Sequence, residues 1–330
     1  MAARPVWKQP WFRVAASLAI LAILFLVLPL GELWQALTRV PLALWPAAIA
    51  GFLLLHALGA AKWRLVVNRA GGGLTMRQAL RFYYAGLFGN TFLPSVVGGD
   101  VVRAGLALRE TRSKAGVLLG SIVDRTLDVI ALATVAGTGV LLLPTALDAQ
   151  SRGIFLGLAV AFAIAGAAGV LLLVLLPARR FPFKVRRKLV KFRTAGRAIA
   201  ERPTAMLLAL GMGVALQCGL LLMSVSLGHV CGLDAPLRVW LFVWPLAKIA
   251  ALLPVTQGGL GVREAAQAAL FAPFGVPAVL AVAVSLVWQA VLITGGLVGG
   301  GVAWLLGRAH HRGFAMSALT VSDDELPTHA

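Results

Sequence analysis

The chain has 330 residues, 60% of them hydrophobic and only 13% charged, with a formal net charge of +18 and a mean hydropathy of +0.89. An ordinary soluble domain holds about 45–50% apolar and about 25% charged residues, so these figures argue against a water-soluble enzyme and exclude a disordered chain, a collagen and a coiled coil. Two cysteines, Cys218 and Cys231, frame neither a disulfide scaffold nor a zinc site.

Crossing a bilayer takes about 17–25 apolar residues. Runs of that kind lie at 14–30, 42–61, about 117–143, 153–176, 205–230 and 277–306, which predicts six spanning helices. The first has a basic flank (Arg4, Lys8, Arg13) like that of a signal peptide, but the residues after Leu30 offer no small-residue cleavage site, so it is expected to be retained. Two more apolar stretches, 79–113 and 237–273, are broken by Pro-Ser-Val-Val-Gly-Gly-Asp (94–100) and Pro-Val-Thr-Gln-Gly-Gly-Leu-Gly (254–261). The pieces before the breaks are about 22–26 Å of helix, short of the ~30 Å hydrocarbon core. They are expected to be re-entrant hairpins, because backbone that leaves helical geometry at membrane depth must be buried in protein or line a wet cavity. The expected fold class is an all-α polytopic membrane protein of about six spans plus two broken re-entrant hairpins. A single membrane domain would cover 1–310, with a basic loop at 177–203 and a polar cytoplasmic tail at 311–330.

With the N-terminus inside, the cytoplasmic segments hold 23 of the 30 Lys and Arg, counting five in 62–81, and the external segments hold three. Arg103, Arg125, Lys248 and Arg263 fall within or beside apolar stretches. This asymmetry fits the positive-inside rule only if both broken segments return to the side they left. It implies an integral protein of the cytoplasmic (inner) membrane with both termini in the cytoplasm. Ten basic residues lie between Arg179 and Arg202, a pattern suited to an anionic lipid surface or a cytoplasmic partner. No aromatic-interleaved basic stripe or helix-turn-helix pattern points to nucleic acid.

The two breaks match. Pro94, Gly98, Gly99, Val102 and Arg103 recur 160 residues later as Pro254, Gly258, Gly259, Val262 and Arg263. That suggests a duplication with halves at about 42–143 and 205–306. Three spans between the copies would invert one relative to the other, the symmetry that places a transporter's site near the midplane. In the first copy, proline stops the incoming half-helix, the glycines permit a reversal, and Asp100 is expected to cap the outgoing half-helix. That N-terminus together with Arg103, with Asn90 nearby, forms a candidate anion site. The competing reading is that Asp100 pairs with Arg103 only to neutralise a buried hairpin. The second copy has Gln257, Gly261 and Glu264 beside Arg263, with Lys248 six residues before Pro254; its competing reading is an Arg263–Glu264 pair at the surface.

A third constellation is Asp124, Arg125 and Asp128. Asp124 and Asp128 share a helical face, and in hydrocarbon each would cost about 2.5–3.5 kcal/mol unpaired. They therefore require partners in the bundle, and Arg103 or Arg263 are the economical ones. His56 and His229, single and without ligand spacing, are expected to bond backbone or to snorkel, and Gly295, Gly296, Gly299, Gly300 and Gly301 to let the last helix approach a neighbour closely. No metal set, cofactor motif or nucleophile elbow occurs, so no metal, no cofactor and no catalytic residue is expected.

The segments Asn-Thr-Phe-Leu-Pro-Ser-Val-Val-Gly-Gly-Asp-Val-Val-Arg (90–103), Asp-Arg-Thr-Leu-Asp (124–128) and Pro-Val-Thr-Gln-Gly-Gly-Leu-Gly-Val-Arg-Glu (254–264) resemble the hallmark segments of the lysylphosphatidylglycerol synthase transmembrane-region, or flippase-like, family over roughly residues 10–310. Family members fused to an aminoacyltransferase domain modify phosphatidylglycerol and move it between leaflets. No segment here resembles that domain, so the resemblance implies lipid translocation rather than aminoacylation, with phospholipids, polyprenyl carriers or hopanoids as candidate cargo. The expected function is flippase-like movement of an anionic lipid, its phosphate bound by Arg103 and Arg263 and its cavity tuned by Asp124 and Asp128. The alternatives are a membrane-embedded enzyme using Asp124 or Asp128 as base on a lipid-linked phosphate or sugar, and a scaffold recruiting a partner through 179–202.

Overall fold

The computed structural model describes residues 10–93, 98–111, 113–143, 190, 194–199, 201–251, 256 and 259–322, and among these no residue is in a strand. The helices in chain order are α1 (Pro10–Val27), α2 (Leu30–Thr38), α3 (Leu44–Arg69), α4 (Met76–Phe92), α5 (Gly98–Glu110), α6 (Lys114–Leu142), α7 (Pro203–Cys231), α8 (Leu237–Ala250), α9 (Val262–Phe271) and α10 (Ala278–Ser322). Four of them, α3, α6, α7 and α10 over Ala278–Arg308, are long and apolar enough to cross a membrane. They match four of the runs read from the sequence. The run at 14–30 is broken: α1 and α2 meet at 102° because Pro29, which has no N–H to continue the ladder, stands in extended backbone ahead of α2. Counted together the pair makes a fifth candidate span. The run at 153–176, most of the basic loop 177–203, and Pro94, Pro254, Gln257 and Gly258 lie outside the described residues, and α10 carries helical backbone on into the 311–330 tail.

Helix ends follow local chemistry. Thr75 caps α4 in a reciprocal box with Gln78, Ser113 caps α6 through the Gly116 amide at 3.1 Å, and Gly232, at φ 87°, closes α7 in the left-handed region. The two broken stretches are antiparallel helix pairs. Gly86 and Gly99 of α4 and α5 are so close that a Cβ on Gly99 would stand 2.2 Å from the Gly86 carbonyl oxygen. In the second pair the Trp240 ring of α8 meets Phe271 of α9 edge-on, centroids 4.9 Å apart. Helices of 17 and 13 residues in one pair and of 14 and 10 in the other are about 15–26 Å long, all shorter than the ~30 Å of hydrocarbon.

The packing has an internal correspondence. Leu44, Met76, Gly98 and Lys114 begin α3 to α6, and Pro203, Leu237, Val262 and Ala278, 159 to 164 residues later, begin α7 to α10. α3 packs on α7, and each touches both α6 and α10; α4 packs on α10 and α8 on α6; α5 lies against α4 and α6, and α9 against α8 and α10. Exchanging α3–α6 for α7–α10 reproduces this set of packed pairs. Each short pair is thus clasped by the long helix of the other half: Gly296 and Gly300 of α10 sit against Leu87, Thr91 and Phe88 of α4, as the glycine-rich sequence there implied, and Gly139 of α6 against the Leu241 backbone of α8.

Candidate functional site

The charged residues of the interior are assembled by one close helix crossing. On α6, Gly116, Gly120 and Asp124 follow at intervals of four and share a face. A Cβ on Gly116 would strike the carbonyl of Ala70, just past the end of α3, at 2.4 Å, and one on Gly120 would strike Val67 Cα of α3 at 2.6 Å. Running the contact one turn further places Asp124 against Lys62 of α3, with the Trp63 indole donating to Ser121 Oγ at 3.1 Å to hold the crossing. The Lys62 ammonium lies 2.5 Å from Asp124 Oδ1 and 2.9 Å from Asp128 Oδ1, and its chain is 1% exposed.

Lys62 is therefore buried inside the bundle, within α3. The sequence ends the apolar run at 61, whereas α3 continues to Arg69 and carries Lys62 within it. The signal for its burial was present: Gly59 and Val66, three before and four after, occupy the same buried face.

Arg103 completes the network. Its Nη2 is 2.9 Å from Asp124 Oδ2 and 3.1 Å from Asp100 Oδ1, and its guanidinium lies 5.2 Å from the Trp63 ring and 5.0 Å from the Tyr83 ring. Asp124, with no exposure, is shared by two cations, as expected for Arg103 but with Lys62 rather than Arg263 as the second. Arg125 reaches Asp100 at 3.5 Å. Asp100 stands in the first turn of α5, which begins at Gly98; among the described residues the bond at that helix start is Asn90 of α4 accepting from the Gly99 amide at 2.7 Å, a cap supplied from the other arm. Gly98 and Gly99 belong to the first turn of α5, where they serve close approach rather than reversal. In the second pair Gly259 and Gly261 do take positive φ, 78° and 85°.

Arg263 is built differently. Its Nη2 donates to Glu264 at 3.0 Å and to Gln289 at 2.5 Å, and its Nε to Ser285 Oγ at 3.3 Å. Glu264 also accepts from Ser285 Oγ and from the Gly261 amide at 2.6 Å, which caps α9. The Arg263–Glu264 pair is no surface pair, because Glu264 has no exposure and Arg263 is 8% exposed. Lys248 donates to Gln217 Oε1 at 2.8 Å and stands 4.7 Å from the Trp244 ring. No carboxylate among the described residues lies within 4 Å of it.

These groups face one another across a cavity of about 650 Å³, whose wall carries Arg103, Arg125, Lys248 and Arg263 together with Asp100 and Asp128. Counting the buried partners Lys62, Asp124 and Glu264 behind it, five cations meet four carboxylates among the described residues, leaving one positive charge. The rest of the wall includes apolar side chains such as Phe52, Leu87 and Trp288 and neutral polar ones, among them Tyr83, Asn90, Gln217, Gln267 and Gln289. His56 bonds the Phe52 carbonyl at 2.9 Å, as its isolation implied, and also faces this cavity. Two buried polar atoms of lining residues, Arg103 Nε and Gln267 Oε1, have no hydrogen-bond partner.

A membrane bundle with two glycine-punctuated helix pairs around a cationic hollow defines a class of polytopic membrane proteins. The chain belongs to the lysylphosphatidylglycerol synthase transmembrane-region family, whose model matches residues 12–300. It is also 25% identical to a UPF0104 membrane protein of Methanothermobacter thermautotrophicus over 312 residues, covering 83% of this chain and 87% of that relative. An integral membrane protein related to lipid handling follows from this membership.

Proposed function

We propose that this protein moves an anionic lipid between bilayer leaflets, its headgroup phosphate passing through the cavity that Arg103 and Arg263 line. The observation that carries the reading is the convergence of these two arginines, from separate helix pairs in separate halves of the chain, on one hollow with an excess of positive charge. A hollow of this charge inside a bundle has no use for an apolar cargo, and ionisable groups at membrane depth default to function because they are costly to keep there. The apolar portion of the wall suits an acyl chain.

In this reading the α4–α5 and α8–α9 pairs are re-entrant hairpins. Their length supports it, and so do the matching element starts and the reciprocal packing of the two halves. The halves are taken as an inverted repeat, which an odd number of crossings between the two pairs would give. Both termini and the 177–203 loop face the cytoplasm at the inner membrane. Moving Lys62 into the bundle leaves 22 Lys and Arg on that side against three outside. The loop's ten basic residues rest on anionic headgroups. No covalent chemistry is part of the proposal.

The test is leaflet exchange in proteoliposomes containing tail-labelled phosphatidylglycerol. Wild-type protein is expected to expose inner-leaflet label faster than protein-free vesicles, and an Arg103→Ala, Arg263→Ala double variant that remains monodisperse is expected to return to the protein-free rate. Wild-type rates from the double variant, or no acceleration by the wild type, would contradict the proposal.

A further inference from the structure

The cationic groups of the cavity are not equivalent. Arg103 and Arg263 are each held by a carboxylate at about 3 Å and are nearly fully buried, and Arg125 leans on Asp100. Lys248 alone among the lining cations has no carboxylate within 4 Å among the described residues, and it is fixed by neutral groups, the Gln217 amide oxygen and the Trp244 ring. The stretches that join the paired helices in sequence, 94–97 and 252–258, contain no charged residue.

We infer that Lys248 is the seat of the lipid headgroup's anionic oxygen, and that the single charge it leaves uncompensated selects a headgroup of one net negative charge. This rests on the translocation reading for the identity of the cargo, but it assigns the receiving group and the charge class. A phosphodiester oxygen at Lys248 replaces nothing: the ammonium keeps Gln217 and gains a charged acceptor. A phosphate taking Arg103 or Arg263 outright would strand Asp124 or Glu264 as an unpaired buried carboxylate. A zwitterionic headgroup leaves the positive charge in place, and a dianion overshoots it by one. The arginines hold the two helix pairs around the cavity, and Lys248 sets what enters it.

Binding of soluble dioctanoyl lipids to the purified full-length protein in detergent, followed by calorimetry, tests this without leaflets. Wild-type protein is expected to bind dioctanoyl-phosphatidylglycerol at least about tenfold more tightly than dioctanoyl-phosphatidylcholine, the worth of one charge-assisted hydrogen bond. Dioctanoyl-phosphatidic acid in its dianionic state should bind no more tightly than phosphatidylglycerol. Lys248→Gln should bring the first ratio to within about threefold of unity, and Lys248→Arg should keep it. A wild-type ratio near one, a dianion bound more than tenfold better than phosphatidylglycerol, or a Lys248→Gln variant that keeps the wild-type ratio would each overturn the inference, and the first two need no variant to fold. Absence of leaflet exchange with the binding ratio intact would remove translocation and leave the anion seat standing. Exchange with a ratio indifferent to Lys248 would remove the seat alone.

Discussion

Lys62→Met probes the buried network at its centre. Methionine keeps most of the length of the lysine chain, so the stem's packing beside Gly213 is largely conserved and what disappears is the charge. Asp128 then has no cation within 4 Å among the described residues, and Asp124 keeps only Arg103 at 2.9 Å. Removing one member of a buried ion pair costs about 3–5 kcal/mol. Because Asp124 retains one cation and Asp128 is 19% exposed, the lower end, about 3 kcal/mol, is the expected loss. Removing the Asp128 charge as well, in Lys62→Met, Asp128→Asn, should restore part of it through a coupling of about 1–2 kcal/mol. Reversible unfolding by SDS in mixed micelles, followed by tryptophan fluorescence, measures both. A Lys62→Met variant within about 0.5 kcal/mol of wild type, or single-variant effects that simply add, would refute the reasoning.

The same unfolding measurement checks three further expectations. Asn90→Ala should lose about 1 kcal/mol, the worth of a helix cap, because the Gly99 amide it accepts from at 2.7 Å is left without it; an unchanged midpoint would show that the two arms do not depend on this bond. Gly139→Ala should lose about 1–3 kcal/mol by overpacking, since the new methyl would stand 2.4 Å from the Leu241 carbonyl carbon and force α6 from α8; a neutral effect would mean the two helices are not in close contact. Glu264→Gln should lose about 3 kcal/mol or more by leaving the buried Arg263 without its carboxylate, and adding Arg263→Gln should recover much of that loss; a double variant no better than the single would show that the pair is not the cause.

The long candidate spans were legible because lipid leaves so little choice: a helix crossing it must be predominantly apolar over a long window, and α3, α6, α7 and α10 are. The paired breaks were legible for a similar reason, since proline and glycine in an apolar run mark backbone that must find partners inside protein. Their recurrence brought Arg103 and Arg263 forward, and both line the cavity. The failures came where tertiary contact, rather than local pattern, decides. Lys62 reads as the start of a basic flank, followed as it is by Arg64 and Arg69, and only the glycine ladder of another helix, Gly116 and Gly120 leading to Asp124, draws it inward. The cap on α5 comes from Asn90 in the opposite arm, a pairing that spacing along one helix does not reveal. Pro29 sits at the end of a long apolar run, where a terminus and a 102° bend have the same sequence signature.

The central claim is that both helix pairs face one hollow that admits anionic headgroups. Photocrosslinking residues introduced at Asn90 and at Leu260, both on the cavity wall, and at Leu26 on the outer surface, 85% exposed, test it in native membranes by the mass of the lipid adducts. The expected result is that the two wall positions capture the same anionic lipid, enriched over the composition captured at Leu26. Adducts at Asn90 and Leu260 that match those at Leu26, or that differ from each other, would contradict it.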